Sequence, residues 1–343
     1  MTVKLPETIP RIQFAVTARS ALFDVQHSAA LRLFNGFSEG CPGLVIDLYA
    51  QTLVIFNQLD KPEELEPLIS LIQRWLLAQY PWIRVAISKT RQAAEEQRRR
   101  GVLAHGEQAD RVISESGVQY AVDLTMNQDA SFYLDTRNLR GWLKRSMHGK
   151  RILNTFAYTG SLGAAALAGG AARVVQLDLN ARFLSLARQT YALNGFSAHD
   201  QDFLTGDFFR QVGRLKGQGA LFDCVILDPP FFSVTQSGRV DLAAEHERLI
   251  NKVRPLIAHN GCLVAVNNAL YVSGEDYLGS LKALCSSGYL QLEEIIPVPL
   301  DVTGYPETIH DPTFPLDPAP FNHPTKIAVL RVQRKDQAAA SPQ

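Results

Sequence analysis

The first part of the chain alternates between short apolar runs and an amphipathic stretch. Residues 44–57 contain two apolar runs rich in β-formers on either side of Ala50 and Gln51, which predicts a hairpin. Residues 63–80 carry apolar side chains at helical spacing, which predicts a helix. Further strand candidates are residues 82–88 and 118–124. The pattern predicts a smaller α+β domain at residues 1–127.

From residue 128 onwards, strand and helix patterns alternate regularly. The predicted strands are residues 151–156, 173–177, 201–205, 222–227, 262–266, 289–296 and 326–332. The predicted helices include residues 161–168, 181–193, 241–258 and 275–286. Such alternation predicts an α/β domain with a doubly wound, mostly parallel sheet. The last two strands have no helix between them, which predicts an antiparallel edge strand. We place this domain at residues 128–335, followed by a disordered tail at 336–343.

A proline-rich connection separates the last two predicted strands. Residues 297–324 hold eight of the 18 prolines of the chain. A long connection without periodicity is typical of a lid, a binding loop or a disordered segment. His310 and His323 lie in this connection, but their spacing fits no compact ligand set, so we expect no metal.

Composition and charge limit the classes of function. The chain has 343 residues, 46% of them hydrophobic, and its 34 basic and 34 acidic residues give zero net charge. This excludes a disordered chain and does not by itself favour nucleic-acid binding. Two local basic clusters nevertheless exist, at residues 98–100 and 137–151. Neither a signal peptide nor an apolar run of about 18 residues is found, so a cytoplasmic protein without membrane contact is expected. The oligomeric state is left open, a homodimer included.

The segment that begins in the first strand of the second domain contains the end of that strand, a turn of small residues and the start of a helix. Residues 153–163 read LNTFAYTGSLG. In a doubly wound sheet, ligands bind at such a turn, outside the carboxyl ends of the strands. Gly160 would let the backbone approach a ligand, and Gly163 would let the helix pack on the sheet. The turn is not GxGxxG, the cradle for a pyrophosphate, which a ligand with an amino acid on a nucleoside does not need.

Three further strand ends carry an acidic residue. Asp178 falls 18 residues after Gly160, near the spacing of a ribose-binding acid. Asp207 could accept a hydrogen bond from an adenine amino group, with Phe208 facing the ring. Two prolines follow Asp228, end its strand and stiffen the loop. An Asp at a strand end is often only a helix cap. The glycine-containing turn and the three acidic residues nevertheless follow one another at four successive strand ends, and this arrangement indicates a nucleoside site.

These motifs resemble the class I S-adenosylmethionine-dependent methyltransferases, specifically the bacterial 23S ribosomal RNA methyltransferases of the RlmI type. The family's glycine-rich and acidic motifs are similar to residues 154–180, NTFAYTGSLGAAALAGGAARVVQLDLN. The family's signature before this domain is similar to residues 129–140, DASFYLDTRNLR, and its central domain to residues 31–49, LRLFNGFSEGCPGLVIDLY. The resemblance implies a Rossmann-like catalytic domain, S-adenosylmethionine as cofactor and RNA as partner.

The motifs and the resemblance together imply a set of site residues. The expected cofactor-binding residues are Asn154, Phe156, Tyr158, Thr159, Gly160, Asp178, Leu179, Asp207, Phe208 and Asp228. The residues expected near the methionine end of the cofactor or at the substrate mouth are Tyr133, Asp135, Arg137 and Arg140. For Arg137 and Arg140 the alternative is a solvated helix face.

The sequence departs from the family at two points. The family usually begins with an RNA-binding PUA domain, whereas only about 20 residues precede the central domain here, so we expect this domain to be missing. Members that make 5-methylcytosine have a Cys where this chain has Asn267. Cytosine C5 needs a thiolate that adds at C6. The other cysteines that we considered, Cys224, Cys262 and Cys285, lie inside predicted strands or far along a helix. We therefore predict against cytosine C5 chemistry.

The same region resembles enzymes that methylate base nitrogens. Asn267 and Asn268 resemble the Asn-Asn pair of a related domain that methylates guanine N7, and residues 228–231 resemble the (Asp/Asn)-Pro-Pro-(Tyr/Phe) motif. A nitrogen with a lone pair needs only positioning and in-line approach to the sulfonium. We predict that Asp228, Asn267 and Phe231 form the catalytic group. In it, Asp228 and Asn267 would form hydrogen bonds, and Phe231 or Phe232 would stack on a flipped base. Packing in the core or a lid is the alternative for both rings.

The leading hypothesis is an S-adenosylmethionine-dependent methyltransferase of a ribosomal RNA base, acting at nitrogen. One alternative is the methylation of a small molecule or a protein, which the expected lack of a PUA domain and the acidic connection suggest. The other is a cofactor-binding RNA assembly factor with weak turnover.

Overall fold

The computed structural model describes residues 5–310 and 317–334. Within these ranges, no helix combines the length and the apolar character that crossing a membrane requires. The predicted tail at residues 336–343 lies outside the described residues.

The chain forms two compact units. The first contains residues 5–135 and 299–310, and the second contains residues 136–298 and 317–334. The boundary therefore lies at Asp135, later than the 127/128 boundary that we placed from the sequence. The sequence also gave no sign that part of the proline-rich connection belongs to the first unit.

The first unit is a mixed sheet with helices. Its elements are α1 (Leu5–Ala18), β1 (Ala30–Asn35), α2 (Gly36–Glu39), β2 (Leu44–Tyr49), β3 (Thr52–Asn57), α3 (Glu66–Gln79), β4 (Val85–Thr90), α4 (Glu96–Arg100), β5 (Val102–His105), β6 (Val112–Glu115) and β7 (Val118–Ala121). One sheet of the described residues has the order β1-β2-β3-β4-β5, and only β3 and β4 pair in parallel. The hairpin predicted at residues 44–57 is confirmed, because Tyr49 pairs with Thr52 around Ala50, which has φ 53°. Apolar side chains of α1 and α3 pack with this sheet in one core.

The second unit is the larger α/β domain. Its elements are α5 (Arg137–Ser146), β8 (Arg151–Thr155), α6 (Ser161–Ala168), β9 (Arg173–Asp178), α7 (Ala181–Leu193), β10 (Phe203–Thr205), α8 (Phe208–Gly217), β11 (Phe222–Leu227), β12 (Phe232–Thr235), β13 (Gly238–Asp241), α9 (His246–Val253), β14 (Ile257–Asn267), α10 (Gly274–Cys285), β15 (Leu290–Ile296) and, after α11 (Leu300–Thr303) of the first unit, β16 (Lys326–Val332). Apolar side chains bury both faces of its sheet in two core clusters.

The sheet of the second unit has the predicted doubly wound topology. Among the described residues its order is β10-β9-β8-β11-β14-β16-β15. Neighbours from β10 to β14 pair in parallel, and β16 pairs antiparallel with both β14 and β15. The antiparallel strand is thus confirmed, but it lies one strand in from the edge. The chain runs outward from β8 to β10 and then resumes at β11 on the other side of β8. This reversal opens a crevice at the carboxyl ends of β8 and β11, where ligands bind in such sheets.

The first part of the proline-rich connection is docked in the first unit. The Arg19 guanidinium is fully buried, lies 2.9 Å from a carboxylate oxygen of Glu39, and donates two hydrogen bonds to the carbonyl oxygen of Asp301. The Thr308 hydroxyl donates to the other side of this pair, at Glu39. Residues 299–310 are therefore held by buried polar contacts, whereas the sequence predicted a lid, a binding loop or disorder. Residues 311–316, which include Asp311, lie outside the described residues.

Candidate functional site

The turn that follows β8 has an unusual backbone. Phe156 has φ 54°, Tyr158 has φ 52° and Gly160 has φ 77°, so three of five consecutive residues are left-handed. A left-handed conformation at a residue other than glycine costs about 1–3 kcal/mol and persists only where the surroundings fix it. Here the Tyr158 amide donates to a carboxylate oxygen of Asp178 at 2.8 Å, and the Ala157 amide donates to the Leu177 carbonyl at 2.9 Å. The turn is therefore preorganised by the end of β9.

A buried polar network lies beneath the turn. The Asn154 amide donates to Gln176 Oε1 at 2.8 Å, and Gln176 Nε2 donates to the Gly160 carbonyl and to the Tyr191 hydroxyl oxygen. Asn154 and Gln176 are almost completely buried, and Asn154 Oδ1 has no hydrogen-bond partner among the described residues. The structure thus places Asn154 under the turn, where it supports the loop that we expected it to line.

The two glycines of the turn serve close packing. A Cβ atom on Gly160 would lie 2.5 Å from the Cβ of Ala187, and one on Gly163 would lie 2.1 Å from Gln176 Nε2. The expectation that Gly163 lets the helix pack on the sheet is confirmed. For Gly160, the positive φ and the contact with Ala187 account for the glycine without a ligand. Thr159, which lies between Tyr158 and Gly160, is buried.

Asp178 ends β9 and faces the same turn. Its carboxylate accepts hydrogen bonds from the amides of Tyr158 and Asn180 at 2.8 and 2.9 Å. Burial raises the pKa of Asp178 above its ordinary value, although these amides favour the charged form. The cap of α7 is Asn180, whose side chain accepts from the Arg182 amide, so Asp178 is not merely a helix cap. Beside it, Leu179 is 62% exposed and offers an apolar surface to a planar ring.

Asp207 and Phe208 follow the third strand, β10. Asp207 caps α8, because its carboxylate accepts from the Arg210 amide at 3.0 Å, and it also accepts from the Thr235 hydroxyl. Partial burial works to raise the pKa of Asp207, but these hydrogen bonds outweigh it and leave the pKa below its ordinary value. Phe208 is buried and stacks on Phe156 with ring centroids 4.6 Å apart. We expected Phe208 to face an adenine ring; instead it supports Phe156 from the core.

The loop after β11 carries two of the three predicted catalytic residues, Asp228 and Phe231. Asp228 is half-buried at the strand end. Phe231 and Phe232 are 43% and 54% exposed, which argues against the alternative that they pack in the core. A hairpin of β12 and β13 follows directly, and we did not predict it from the sequence. The structure thus presents two aromatic rings to solvent beside the switch point of the sheet.

The end of β14 corrects one predicted catalytic residue. Asn267 is completely buried, donates to the Leu242 carbonyl at 3.4 Å and accepts from the Ala269 amide at 2.9 Å. It shapes the backbone and is not placed to touch a substrate. Its neighbour Asn268 is half-buried and donates to the Pro229 carbonyl at 3.3 Å, while its Oδ1 has no hydrogen-bond partner among the described residues. Asn268 is therefore the better candidate, and the Asn-Asn pair in the sequence was the signal for it.

The residues predicted at the substrate mouth fall into both units. Tyr133 is 46% exposed and donates to Asp129, and Asp135 is half-buried. Arg137 is half-buried at the start of α5. Arg140 is 1% exposed and donates to the Thr136 hydroxyl oxygen at 2.8 Å, so it is neither an open substrate contact nor part of a solvated face.

The basic cluster at residues 98–100 is also used within the protein. Arg98 pairs with Glu66 at 3.0 Å, and Arg99 and Arg100 donate to backbone carbonyl oxygens. This cluster is therefore less available to phosphate groups than its sequence suggests.

Two of the cysteines lie inside the sheet of the second unit. Cys224 and Cys262 are paired residues of β11 and β14, inside the sheet, and both are buried. The contact with Cys262 and complete burial raise the pKa of the Cys224 thiol well above its ordinary value. Such a thiol is poorly suited to nucleophilic attack. Within the described ranges, no three His, Cys, Asp or Glu side chains converge as a metal site would need.

The donors and acceptors at this edge suit a nucleoside that carries an amino acid. Asp178 presents a carboxylate, which is the kind of acceptor that ribose hydroxyls need, Leu179 an exposed apolar surface, and Asp207 a second carboxylate. The strained turn from Phe156 to Gly160 is bonded to Asp178 through the Tyr158 amide.

Comparison with known proteins agrees with this geometry. The family model described as S-adenosylmethionine-dependent methyltransferase matches residues 32–298. The chain is 34% identical over 268 residues to Ribosomal RNA large subunit methyltransferase I of Aeromonas salmonicida, which covers 77% of this chain and 67% of that relative. It is 30% identical over 284 residues to Ribosomal RNA large subunit methyltransferase of Deinococcus radiodurans, which covers 78% of this chain and 67% of that relative.

Solved structures share the fold. SMU.776, a proposed methyltransferase crystallised with S-adenosylhomocysteine, superposes with a TM-score of 0.81 at 20% identity, over 97% of this chain and 83% of that one. The S-adenosylmethionine-dependent methyltransferase from Agrobacterium tumefaciens superposes with a TM-score of 0.58 at 16% identity, over 86% of this chain and 88% of that one. At these identities the likeness establishes the fold.

Proposed function

The chain belongs to the S-adenosylmethionine-dependent methyltransferase family, and from this premise we propose that it methylates a base of large-subunit ribosomal RNA at a nitrogen atom. The printed names of both relatives support the class of substrate. The observation that carries the proposal is the pair of exposed rings, Phe231 and Phe232, directly after Asp228 and its two prolines. A cytoplasmic location is part of the proposal, because ribosomal RNA is found there.

The cofactor would lie across the carboxyl ends of β8, β9 and β10. The Asp178 carboxylate would accept hydrogen bonds from the ribose hydroxyls, and Asp207 would accept from the adenine amino group. Leu179 would cover the adenine ring with its exposed side chain. When bound, S-adenosylmethionine supplies an activated methyl group on its sulfonium. The protein then has mainly to align the acceptor atom with that methyl group.

The base would bind on the other side of the switch point. Phe231 or Phe232 would stack on a flipped base, a contact worth about 1–3 kcal/mol. Asp228 and Asn268 would accept hydrogen bonds from the base, and the unpartnered Oδ1 of Asn268 is suited to an N–H donor. A carboxylate at Asp228 also offers a destination for the proton that an amino group loses on methylation.

Nitrogen is favoured over cytosine C5 because the two cysteines on the central strands β11 and β14 are buried inside the sheet. In the family that the sequence resembles, enzymes that methylate cytosine C5 have their reactive Cys at the position that Asn267 occupies here. Cys224 and Cys262 are buried inside strands. An attack on C6 would need an exposed thiolate beside the base. The arrangement therefore supports an acceptor that already has a lone pair.

Mass spectrometry of large-subunit ribosomal RNA tests the proposal. The RNA would be digested to nucleosides from cells with and without the gene, and one N-methylated nucleoside should be lost in the deletion strain. Purified protein and S-adenosylmethionine should restore it in vitro. Loss of 5-methylcytidine would refute the nitrogen assignment, and an unchanged nucleoside profile would refute ribosomal RNA as substrate.

A further inference from the structure

The hairpin of β12 and β13 has two different faces. Phe232 and Val234 are 54% and 67% exposed, whereas the alternating residues Ser233 and Thr235 are half-buried. Val240 on β13 is buried in the core of the second unit and anchors the hairpin there. The hairpin is therefore fixed on one face and presents apolar side chains to solvent on the other, directly after the Asp228 loop.

The fixed face is attached to the loop that follows β10. The Thr235 hydroxyl donates a hydrogen bond to Asp207 Oδ2, and the other oxygen of Asp207 caps α8 through the Arg210 amide. At the hairpin turn, a Cβ atom on Gly238 would lie 2.6 Å from the ring of Phe209 in α8. The hairpin thus packs on the start of α8. Its link to Asp207 at hydrogen-bond distance is the Thr235 hydroxyl, and the Ser237 side chain also lowers the pKa of Asp207.

The Asp207 carboxylate is shared by several donors. Of its about four acceptor positions, the Arg210 amide and the Thr235 hydroxyl each occupy one. The Ser237 side chain and the Phe209 amide also lower its pKa, so a further donor would displace one of these two. The side chain is half-exposed, so a ligand can reach it. An amino group that binds there shares its acceptor with the hairpin.

We propose that Thr235 is a positioning residue that couples cofactor binding to the substrate side of the site. The adenine amino group and the Thr235 hydroxyl would bind one carboxylate, so the bound cofactor holds Asp207 and, through it, the hairpin that presents Phe232 and Val234. The cofactor would thereby order the surface on which the base is received. This inference rests on the proposed place of adenine at Asp207.

The coupling is reciprocal. If cofactor binding orders the hairpin, the anchored hairpin must strengthen cofactor binding by the same factor, and couplings of this kind amount to about 5- to 150-fold. Thr235→Val keeps the shape and removes the donor, whereas Thr235→Ser keeps the donor and removes one methyl group. The pair therefore separates the hydrogen bond from packing.

Hydrogen–deuterium exchange of the full chain, with and without S-adenosylhomocysteine, tests the inference. In the wild type and in Thr235→Ser, the ligand should slow exchange in the peptide that covers residues 231–242 by about fivefold or more. In Thr235→Val this slowing should be absent and the affinity for the ligand, measured by calorimetry, should fall about fivefold or more. Peptides from β8, β11 and β14, in the same unit as the hairpin, should exchange at wild-type rates in all variants, which shows that this unit is folded in each.

Two results overturn the inference in different ways. If Thr235→Val retains ligand-dependent slowing of the hairpin, the coupling is refuted while the proposed methyltransferase site stands. If Asp207→Ala, which removes every side-chain acceptor at this position, leaves the affinity for S-adenosylhomocysteine unchanged, adenine does not bind at Asp207, and the inference fails together with that part of the proposed site.

Discussion

Replacing Gly163 with Ala should destabilise the second unit, although alanine favours helices. The residue lies inside α6, and the new Cβ would lie 2.1 Å from Nε2, 2.7 Å from Cδ and 2.9 Å from Oε1 of Gln176. Gln176 cannot move aside cheaply, because it is fully buried and its amide makes hydrogen bonds to Asn154, Gly160 and Tyr191.

The magnitude follows from three opposing effects. Overpacking a filled core costs about 1–3 kcal/mol. Breaking one buried hydrogen bond of the Gln176 network and leaving its partner unsatisfied costs about 1–3 kcal/mol more. The gain in helix propensity from glycine to alanine is only about 1 kcal/mol. We therefore expect the free energy of unfolding to fall by about 3 kcal/mol. Affinity for S-adenosylhomocysteine should fall as well, because Gln176 holds the carbonyl of Gly160 in the turn.

Urea denaturation followed by circular dichroism measures this change, and Gly213→Ala is the matched control. Gly213 lies inside α8, and a Cβ atom there meets nothing within 4 Å. The free energy of unfolding of this control should rise by about 0.5–1 kcal/mol, from the higher helix propensity of alanine alone. If Gly163→Ala unfolds at the same urea concentration as the wild type or at a higher one, while Gly213→Ala shows its gain, the reasoning about Gln176 is wrong.

Three further predictions concern single side chains. Phe231→Ala should lower kcat/KM for RNA by about 5- to 150-fold and leave the affinity for S-adenosylhomocysteine unchanged. The control Val25→Ala removes a side chain that is 91% exposed in the first unit and should change neither quantity. Equal effects of the two variants on kcat/KM would refute stacking. Asn268→Ala should lower the rate of methylation in enzyme assays and leave the free energy of unfolding near the wild-type value. Asn267→Ala should lower the free energy of unfolding, measured in urea, by about 1–3 kcal/mol. The reverse pattern would return the catalytic role to Asn267. Burial lowers the pKa of Lys326 to about 8, so between about pH 8 and 10.5 the unfolded chain binds more protons than the folded one, and the free energy of unfolding should rise with pH. Lys326→Met should weaken that rise. An unchanged slope of the free energy of unfolding against pH in this variant would count against a buried lysine.

The sequence was sufficient for the elements with a local pattern. The strands that end at or just before Asp178 and Asp228 were predicted because they are short, mostly apolar runs followed by an acidic residue. Their order also predicted the doubly wound sheet, and hence the edge at which the site lies. The hairpin after Phe231 was missed, although Ser237 and Gly238 are a turn signal, because its outward side chains face solvent and lack a core pattern.

The other differences between prediction and structure have two causes. Some depend on contacts between distant parts of the chain, and others on which of two adjacent residues is buried. Asn267 and Asn268 are adjacent, yet one is completely buried and the other is half-buried, and no sequence pattern decides which of the two faces the loop after β11. Arg140 reads as a surface cation on α5, but it is buried. The site residues as a set remain predictions that the variants above would test.

The late position of residues 299–310 in the chain has a consequence for synthesis. Protein domains generally fold as they leave the ribosome, the N-terminal one first. Arg19 and Glu39 emerge early, but the carbonyl of Asp301 and the hydroxyl of Thr308 that satisfy them are added only when most of the second unit has been made. Until then, the Arg19–Glu39 pair of the nascent first unit lacks these two hydrogen-bond partners. The first unit becomes fully native only after strands β8 to β15 of the second unit have been made. A stalled or truncated chain that ends before residue 301 would leave the Arg19–Glu39 pair without these two hydrogen-bond partners.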